Sequence, residues 1–502
     1  MSDESQRMDE DCSNVTIEDQ RGSGAPKWIR WLEKCFQIRA DDGSVVTEVT
    51  GYAMDGVARN PINLTGSYLG VSILQLALKS VGCTRAKTCT ETVFGIKPSS
   101  LLTSASVIVG LSTAVTMPYI GAIIDLTNHR RKLGAYTAAL IVAIMAVTIA
   151  LNEKTWKVIY FLFIVEGYLS ILHVTTTLAY LPGFTNDDKQ MVVYTSLSNV
   201  KQAFATFIFF AFVTGLTLGF KLSSITTSRL ASVTVTINGM IFFSYAWYYL
   251  FQNKGPSRKV DNKTSLFVAG MKQTCKTTRL IFTKYWPLKY FILSLPWSPE
   301  AGAGMVQSIL ITYMTLHLRM ESVQIGICSF ILFVFQIPGG YLAKYISHKY
   351  NPLIGLQLCL IGFTLNSFLL PVVCWGPEVK NRAYIFAGTW GITYGWLYPC
   401  QRVLYCTMTP KKQEAEIMGV FAFANQIIGW LPVIIFTAIN EAGIKMAWGI
   451  FALGFLFLLS FFISLLIGNY DKAVAYIKAA QEEVESQSLS QHDEEETGKN
   501  TV

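Results

Sequence analysis

Apolar residues run along this chain in twelve long stretches separated by shorter polar turns. The first six fall near residues 48–80, 100–127, 133–151, 156–182, 193–219 and 229–251. The second six fall near 287–317, 323–347, 352–375, 381–408, 417–439 and 446–469. Each can cross a hydrocarbon core of about 30 Å at roughly 1.5 Å of rise per helical residue. A crossing segment must satisfy its backbone hydrogen bonds without water, so only helices or a closed barrel qualify. These stretches are far longer than barrel strands and lack their alternation. The pattern predicts an all-α membrane protein of about twelve transmembrane helices.

The polar interval 252–286 divides the crossings into an N-terminal six-helix bundle, 48–251, and a C-terminal one, 287–469. Polar tails, 1–47 and 470–502, flank them. Past Tyr470 the chain turns acidic and Ser/Gln-rich, ending in the run Asp493 to Glu496, a composition that builds no packed core. Orientation follows the basic residues. The central interval carries Lys254, Arg258, Lys259, Lys263, Lys272, Lys276, Arg279 and Lys284 against Asp261, and the turn after the second crossing adds Arg130, Arg131 and Lys132. An even number of crossings puts these loops and both tails on the cytoplasmic side. Met1 to Gly24 has no basic start and no apolar core, so the first crossing is expected to direct insertion.

Composition agrees. The 502 residues are 51% hydrophobic and 15% charged, against about 25% charged in soluble domains. The net charge of +8 belongs to this topology and not to nucleic-acid binding. The ten cysteines show no metal spacing, and no cofactor is implied. Cys83 and Cys89 share one loop, as a disulfide if it faces an oxidising lumen and as two thiols otherwise. The N-x-[ST] triplets at Asn14, Asn63 and Asn262 lie on expected cytoplasmic segments or inside a helix, so none is expected to carry sugar.

A repeat connects the bundles. Gly121-Ala-Ile-Ile-Asp125 precedes His129-Arg130-Arg131-Lys132, and Gly340-Tyr-Leu-Ala-Lys344 precedes His348-Lys349 at the equivalent place. Such parallel repeats indicate two bundles related by an axis along the membrane normal. Gly121, Asp125 and the cluster Arg130-Arg131-Lys132 resemble the loop signature of the major facilitator superfamily. The resemblance implies that the glycine lets helices approach, and that Asp125 meets the start of the eleventh helix as a gate. A narrower resemblance runs through Glu48-Val-Thr-Gly51-Tyr52 and Asn60-Pro61, then Pro399-Cys-Gln401-Arg402 and Pro410-Lys-Lys-Gln413-Glu414-Ala-Glu416-Ile-Met-Gly419. These are similar to the autophagy-related vacuolar amino-acid effluxers of that superfamily, and imply release of neutral amino acids from vacuoles. Where the family's first helix is serine-rich, this chain has Met54-Asp55-Gly56-Val-Ala-Arg59.

Charges inside crossings cost roughly 2.5–3.5 kcal/mol each at a helix centre, so each is a candidate for a cavity or a partner. Asp55 and Arg59 stand one turn apart. They either bind the ends of a zwitterion, with Asp55 also able to take a coupling proton, or pair structurally with each other. Asn60-Pro61 after them predicts a kink or break. Glu166 lies deep in the fourth crossing, where burial disfavours charge and suits a proton carrier. Lys201 in the fifth is its expected partner, and a structural bridge to Lys201 or Arg402 is the alternative. His173, on the same face, is a proton relay or a satisfied interhelical histidine. Glu300 follows Pro296 and Pro299 and precedes small residues, as a gating segment or a close-packing face. Arg402 is the first choice for an anionic group, because guanidinium grips carboxylate with two hydrogen bonds; pairing with Glu414 or Glu416 is the alternative. Trp390, Trp396 and Tyr398 are expected to pack or sit at interfaces, while Tyr394 and Asn425 are candidate cavity groups.

No G-x-x-x-x-G-K-[ST] loop and no Ser/His/Asp set occurs, so neither an ATP-driven pump nor an enzyme is indicated. The expectation is a monomeric alternating-access carrier exporting a small neutral amino acid from a vacuole or lysosome-like compartment, driven by its gradient or by protons. Arg402 and Arg59 would hold the carboxylate, and Asp55, Glu166 or Glu300 the amine or a proton. A proton- or sodium-coupled sugar transporter is the alternative, and a non-transporting receptor or scaffold acting through the acidic tails is the second; a plasma-membrane location remains open.

Overall fold

The computed structural model describes residues 36–39, 43–83, 91–181, 184–185, 188–252, 266–301, 305–409 and 414–482. The side chains of Asp125, His348, Glu414 and Glu416 lie outside that description, as do Cys89, Asn14, Asn262 and the run Asp493 to Glu496. Helices α1 (Thr47–Ser80), α2 (Leu101–Leu126), α3 (Arg130–Thr148), α4 (Trp156–Leu178), α5 (Asp188–Phe220) and α6 (Ser224–Tyr245) make the first half. Helix α7 (Leu266–Lys284) occupies the interval read as a polar linker. Helices α8 (Trp286–Ser294), α9 (Met305–Thr312), α10 (Ser322–Lys349) and α11 (Pro352–Val373) follow. Then come α12 (Ala383–Met408), α13 (Glu414–Ile427), α14 (Leu431–Glu441) and α15 (Ala447–Leu465).

Among the described residues nine helical segments are long and apolar enough to cross a membrane, with α13 and α14 contributing to one. The remaining expected crossings are α1, the α8–α9 pair and α12. These are the ones that carry Asp55 and Arg59, Glu300, and Arg402. The seventh is missing from the nine because it is divided into two short helices, α8 of 9 residues and α9 of 8.

Three local solutions shape the interior. Asn60-Pro61 was expected to kink or break α1, and the helix runs through Pro61 without a break. Proline lacks the N–H that would bond the carbonyl four residues earlier. Asn238 Nδ2, from α6, donates instead to that carbonyl, Val57 O, at 2.9 Å. The seventh crossing does break: α8 ends in a tight turn at Leu295–Trp297, and Pro299 and Glu300 lie in irregular backbone before α9. Non-helical backbone at membrane depth is tolerated where it lines a cavity. Third, α10 and α12 meet backbone to backbone. A Cβ at Gly391 or Gly395 would overlap the carbonyl oxygens of Leu332 or Gln336, the contact that a G-x-x-x-G pair allows.

Two elements depart from the expected tails. Residues 470–482 are helical, with Ala473 and Ile477 buried. Their i,i+4 spacing makes an apolar stripe that an average over the acidic tail conceals. Before α1, Ile38 is buried and its N–H donates to Thr50 Oγ1 at 3.0 Å.

Buried apolar side chains form two large clusters. One gathers residues from Ile38 to Phe251; the other gathers residues from Ile281 to Ile477, with Val71, Leu74 and Leu102 joining it from the first half. The halves touch on the face opposite the Arg130–Lys132 loop. There Lys97 Nζ donates to Glu441 O at 2.6 Å, and Asn440 Nδ2 to Ser99 and Ser100 hydroxyls at 2.8 and 2.9 Å. Gln307 Nε2 also donates to Ser67 Oγ at 2.6 Å. Cys83 is disulfide-bonded near that face.

Candidate functional site

A cavity of about 1770 Å³ lies between the halves and draws its lining from both. Arg59, Glu166, Glu300, Arg402, Tyr394 and Asn425 all border it. It extends past Gly340 to Lys344 and Ser347 near the basic turn after α10.

In the first half the central group is Asp55, which is fully buried. Arg59 Nε donates to Asp55 Oδ2 at 3.1 Å, the expected i,i+4 pair. His173 Nε2 meets Asp55 Oδ1 at 2.7 Å, and Trp247 Nε1 donates to the same oxygen at 2.9 Å. Thr177 Oγ1 donates to Oδ2 at 3.5 Å, and His173 Nδ1 meets Thr137 Oγ1 at 2.9 Å. A buried carboxylate needs this many partners to remain charged. Gly134 makes room for the network: a Cβ there would overlap the Trp247 ring. Asp55 thus sits behind the wall, and Arg59 presents the network's charge to the cavity. His173 is the satisfied interhelical histidine of the plainer alternative.

Glu166 lines the cavity and accepts from Ser170 Oγ at 2.7 Å. The expected pairing with Lys201 does not form. Lys201 Nζ donates to Gln37 O at 2.7 Å, tying α5 to the segment before α1. Sequence spacing placed both residues in crossings, and only helix rotation decided that they face different partners. Gln202, the next residue, faces inward, receives Asn60 Nδ2 at 3.4 Å and lines the cavity.

In the second half Glu300 lies in the break of the seventh crossing, with Arg402 on α12 as its electrostatic neighbour; Tyr398 neighbours both, and Tyr52 of α1 is a hydrogen-bonding neighbour of Arg402. Glu300 Oε2, Arg402 Nη1, Asn425 Oδ1 and Gln426 Oε1 are all buried without a hydrogen-bond partner. Buried polar groups are rarely left this way, and here all four line the cavity, with Glu300 and Arg402 as electrostatic neighbours. Trp390 and Tyr398, expected to pack or sit at interfaces, also line the cavity, as does Tyr394, a candidate cavity group; Trp396 is buried. Gln426, Gln202 and Trp247 carried no sequence signal beyond being polar in an apolar run.

The residues expected to gate have firm partners. Arg130 donates to Ile124 O at 3.3 Å and Ala179 O at 3.1 Å, joining the ends of α2 and α4. Arg131 donates to Trp247 O at 3.0 Å and to Tyr248 O, capping the end of the sixth crossing. Cations at exposed carbonyls of a helix C-terminus are favourable. Gly121 borders the cavity, and among the described residues nothing stands within 4 Å of the Cβ it lacks.

Two helical halves around a central cavity give the chain a multi-span membrane fold of the major facilitator type. The chain belongs to the family described as vacuole effluxer Atg22-like, whose family model matches residues 45–475. No curated protein matches it in sequence. Among solved structures it resembles the peptide transporter POT in complex with sulfate, at 14% identity and a TM-score of 0.54, covering 87% of this chain and 99% of that one. It also resembles a D-xylose-proton symporter, at 13% identity and a TM-score of 0.53, covering 82% and 97%. The human organic anion transporter MFSD10 (TETRAN) aligns at 12% identity and a TM-score of 0.50, covering 84% and 98%. These likenesses show the fold. The chain is an integral, multi-pass transporter of a small molecule and not an enzyme.

Proposed function

We propose that this transporter carries small neutral amino acids from the vacuolar lumen to the cytosol by alternating access. The observation that carries this is the wall where an unpartnered carboxylate oxygen of Glu300 and an unpartnered guanidinium nitrogen of Arg402 face one cavity. A zwitterion supplies a carboxylate for Arg402 and an ammonium for Glu300, with Asn425 and Gln426 as further acceptors. Arg59 offers a second cation from the other half, so that one ligand can bridge the bundles. The cavity exceeds the roughly 300–1,000 Å³ of ordinary ligand pockets, which leaves space for a side chain and an aqueous approach. Glu166, apart from this wall and bonded to Ser170, is the group that takes up a coupling proton. Arg130 and Arg131 stiffen the cytoplasmic end of the first bundle, which moves as a unit with Asp125.

Flux of labelled neutral amino acids into proteoliposomes, with and without a pH gradient, tests this. Wild-type protein should show saturable flux. Arg402→Ala and Glu300→Gln should each lower kcat/KM at least tenfold, about 1.4 kcal/mol of lost stabilisation. Unchanged amino-acid flux in Arg402→Ala would sink the assignment. Flux of sugars alone would favour a carrier that uses Asn425 and Gln426 for hydroxyls.

A further inference from the structure

Helix α7 has a buried face and a basic one. Thr277 and Ile281 point inward, with Ile281 fully buried. At 3.6 residues per turn Lys272, Lys276 and Arg279 fall on the opposite side, and all are exposed. Among the described residues no carboxylate pairs with them. Exposed Val268 and Phe282 flank this stripe. The helix packs against both α2 of the first half and α13 of the second, so it straddles the seam between them.

Its depth is marked by the residues that follow. Trp286 and Tyr476 are exposed with ring centroids 5.8 Å apart, and Trp286 lies 6.4 Å from Tyr290. Lys289 Nζ stands 4.7 Å from the centre of the Tyr290 ring. Exposed Trp and Tyr beside lysine characterise the membrane–water interface. The unpaired cations of α7 therefore lie at headgroup level, on a helix whose apolar face is already used by the protein.

We propose that the outward face of α7 binds anionic phospholipid headgroups, with Lys272, Lys276 and Arg279 as the contacts. Juxtamembrane cations are attracted to anionic leaflets and the attraction is confined to about a Debye length, so it requires this position at the surface. A headgroup held there fastens α7 across the seam that alternating access must open. The substrate plays no part in the binding.

Photoreactive phosphatidylserine and photoreactive phosphatidylcholine, each at trace level in phosphatidylcholine vesicles holding the full protein, test the site by mapping of the crosslinked peptides. Capture on Leu266–Lys284 should favour the serine lipid by about fivefold or more. The variant Lys272→Gln/Lys276→Gln/Arg279→Gln should lose that preference while keeping its thermal unfolding midpoint. Added inorganic phosphate should not compete. Equal capture of both lipids, preference retained in the triple variant, or displacement by phosphate would each overturn the proposal.

Discussion

At Asp55 four donors converge on one carboxylate: Arg59, His173, Trp247 and Thr177. Removing one member of a buried charge network leaves its partners unpaired, at a cost of about 3–5 kcal/mol. Asp55→Ala should therefore lower the detergent-solubilised unfolding midpoint sharply, and Trp247→Phe, which removes one hydrogen bond to a charge worth about 1.5–3 kcal/mol, should lower it less. An Asp55→Ala protein as stable as wild type would contradict a structural role for the network. Glu166 predicts the opposite division. Glu166→Gln keeps the hydrogen bond from Ser170 but holds no exchangeable charge, so amino-acid exchange should persist while acceleration by a pH gradient disappears. Acceleration that survives the substitution would move the coupling proton elsewhere. The candidates Asp55, Arg59, Glu166, Glu300 and Arg402 were all legible in the sequence, because charge inside an apolar run is conspicuous. Their partners were not: Lys201 meets a backbone carbonyl, and Trp247 reaches Asp55 across 192 residues.

At the scale of the helix, Pro61 and Asn238 form a compensating pair. Asn238→Ala leaves Val57 O without its donor, a cost of about 1–3 kcal/mol for a buried acceptor. Replacing Pro61 with Ala restores the backbone N–H, so Pro61→Ala/Asn238→Ala should recover most of the stability lost in Asn238→Ala alone. Additive losses in this double-mutant cycle would show that Asn238 acts by another route. The break of the seventh crossing was foreshadowed by Pro296 and Pro299, whereas the continuous helix through Pro61 was not, since only α6 supplies the replacement donor. Likewise Gly391 and Gly395 stand at G-x-x-x-G spacing, yet their packing against α10 depends on which face of α12 turns towards it.

For the whole molecule, the halves are held together on one face by the contacts of Lys97 and Asn440 with Glu441 and Ser99–Ser100, while the cavity reaches the basic turn on the other. Weakening those contacts should favour the alternative state. With a cysteine at Ser67 as reporter, Asn440→Ala/Lys97→Ala should speed labelling from the face on which these contacts lie by about tenfold, the factor that corresponds to 1.4 kcal/mol. An unaltered labelling rate would show that these hydrogen bonds do not set the balance.

The sequence by itself determined the membrane class, the order of crossings, the two-part repeat and the short set of intramembrane charges. Each follows from local composition: transfer of an apolar segment into lipid depends on what it contains, and a charge there is costly wherever its partner is. Tertiary structure alone decided which charges face the cavity, which are consumed in networks, and where polar segments hide an amphipathic helix such as α7. Those outcomes depend on helix rotation and on neighbours hundreds of residues away, and spacing along one helix carries neither.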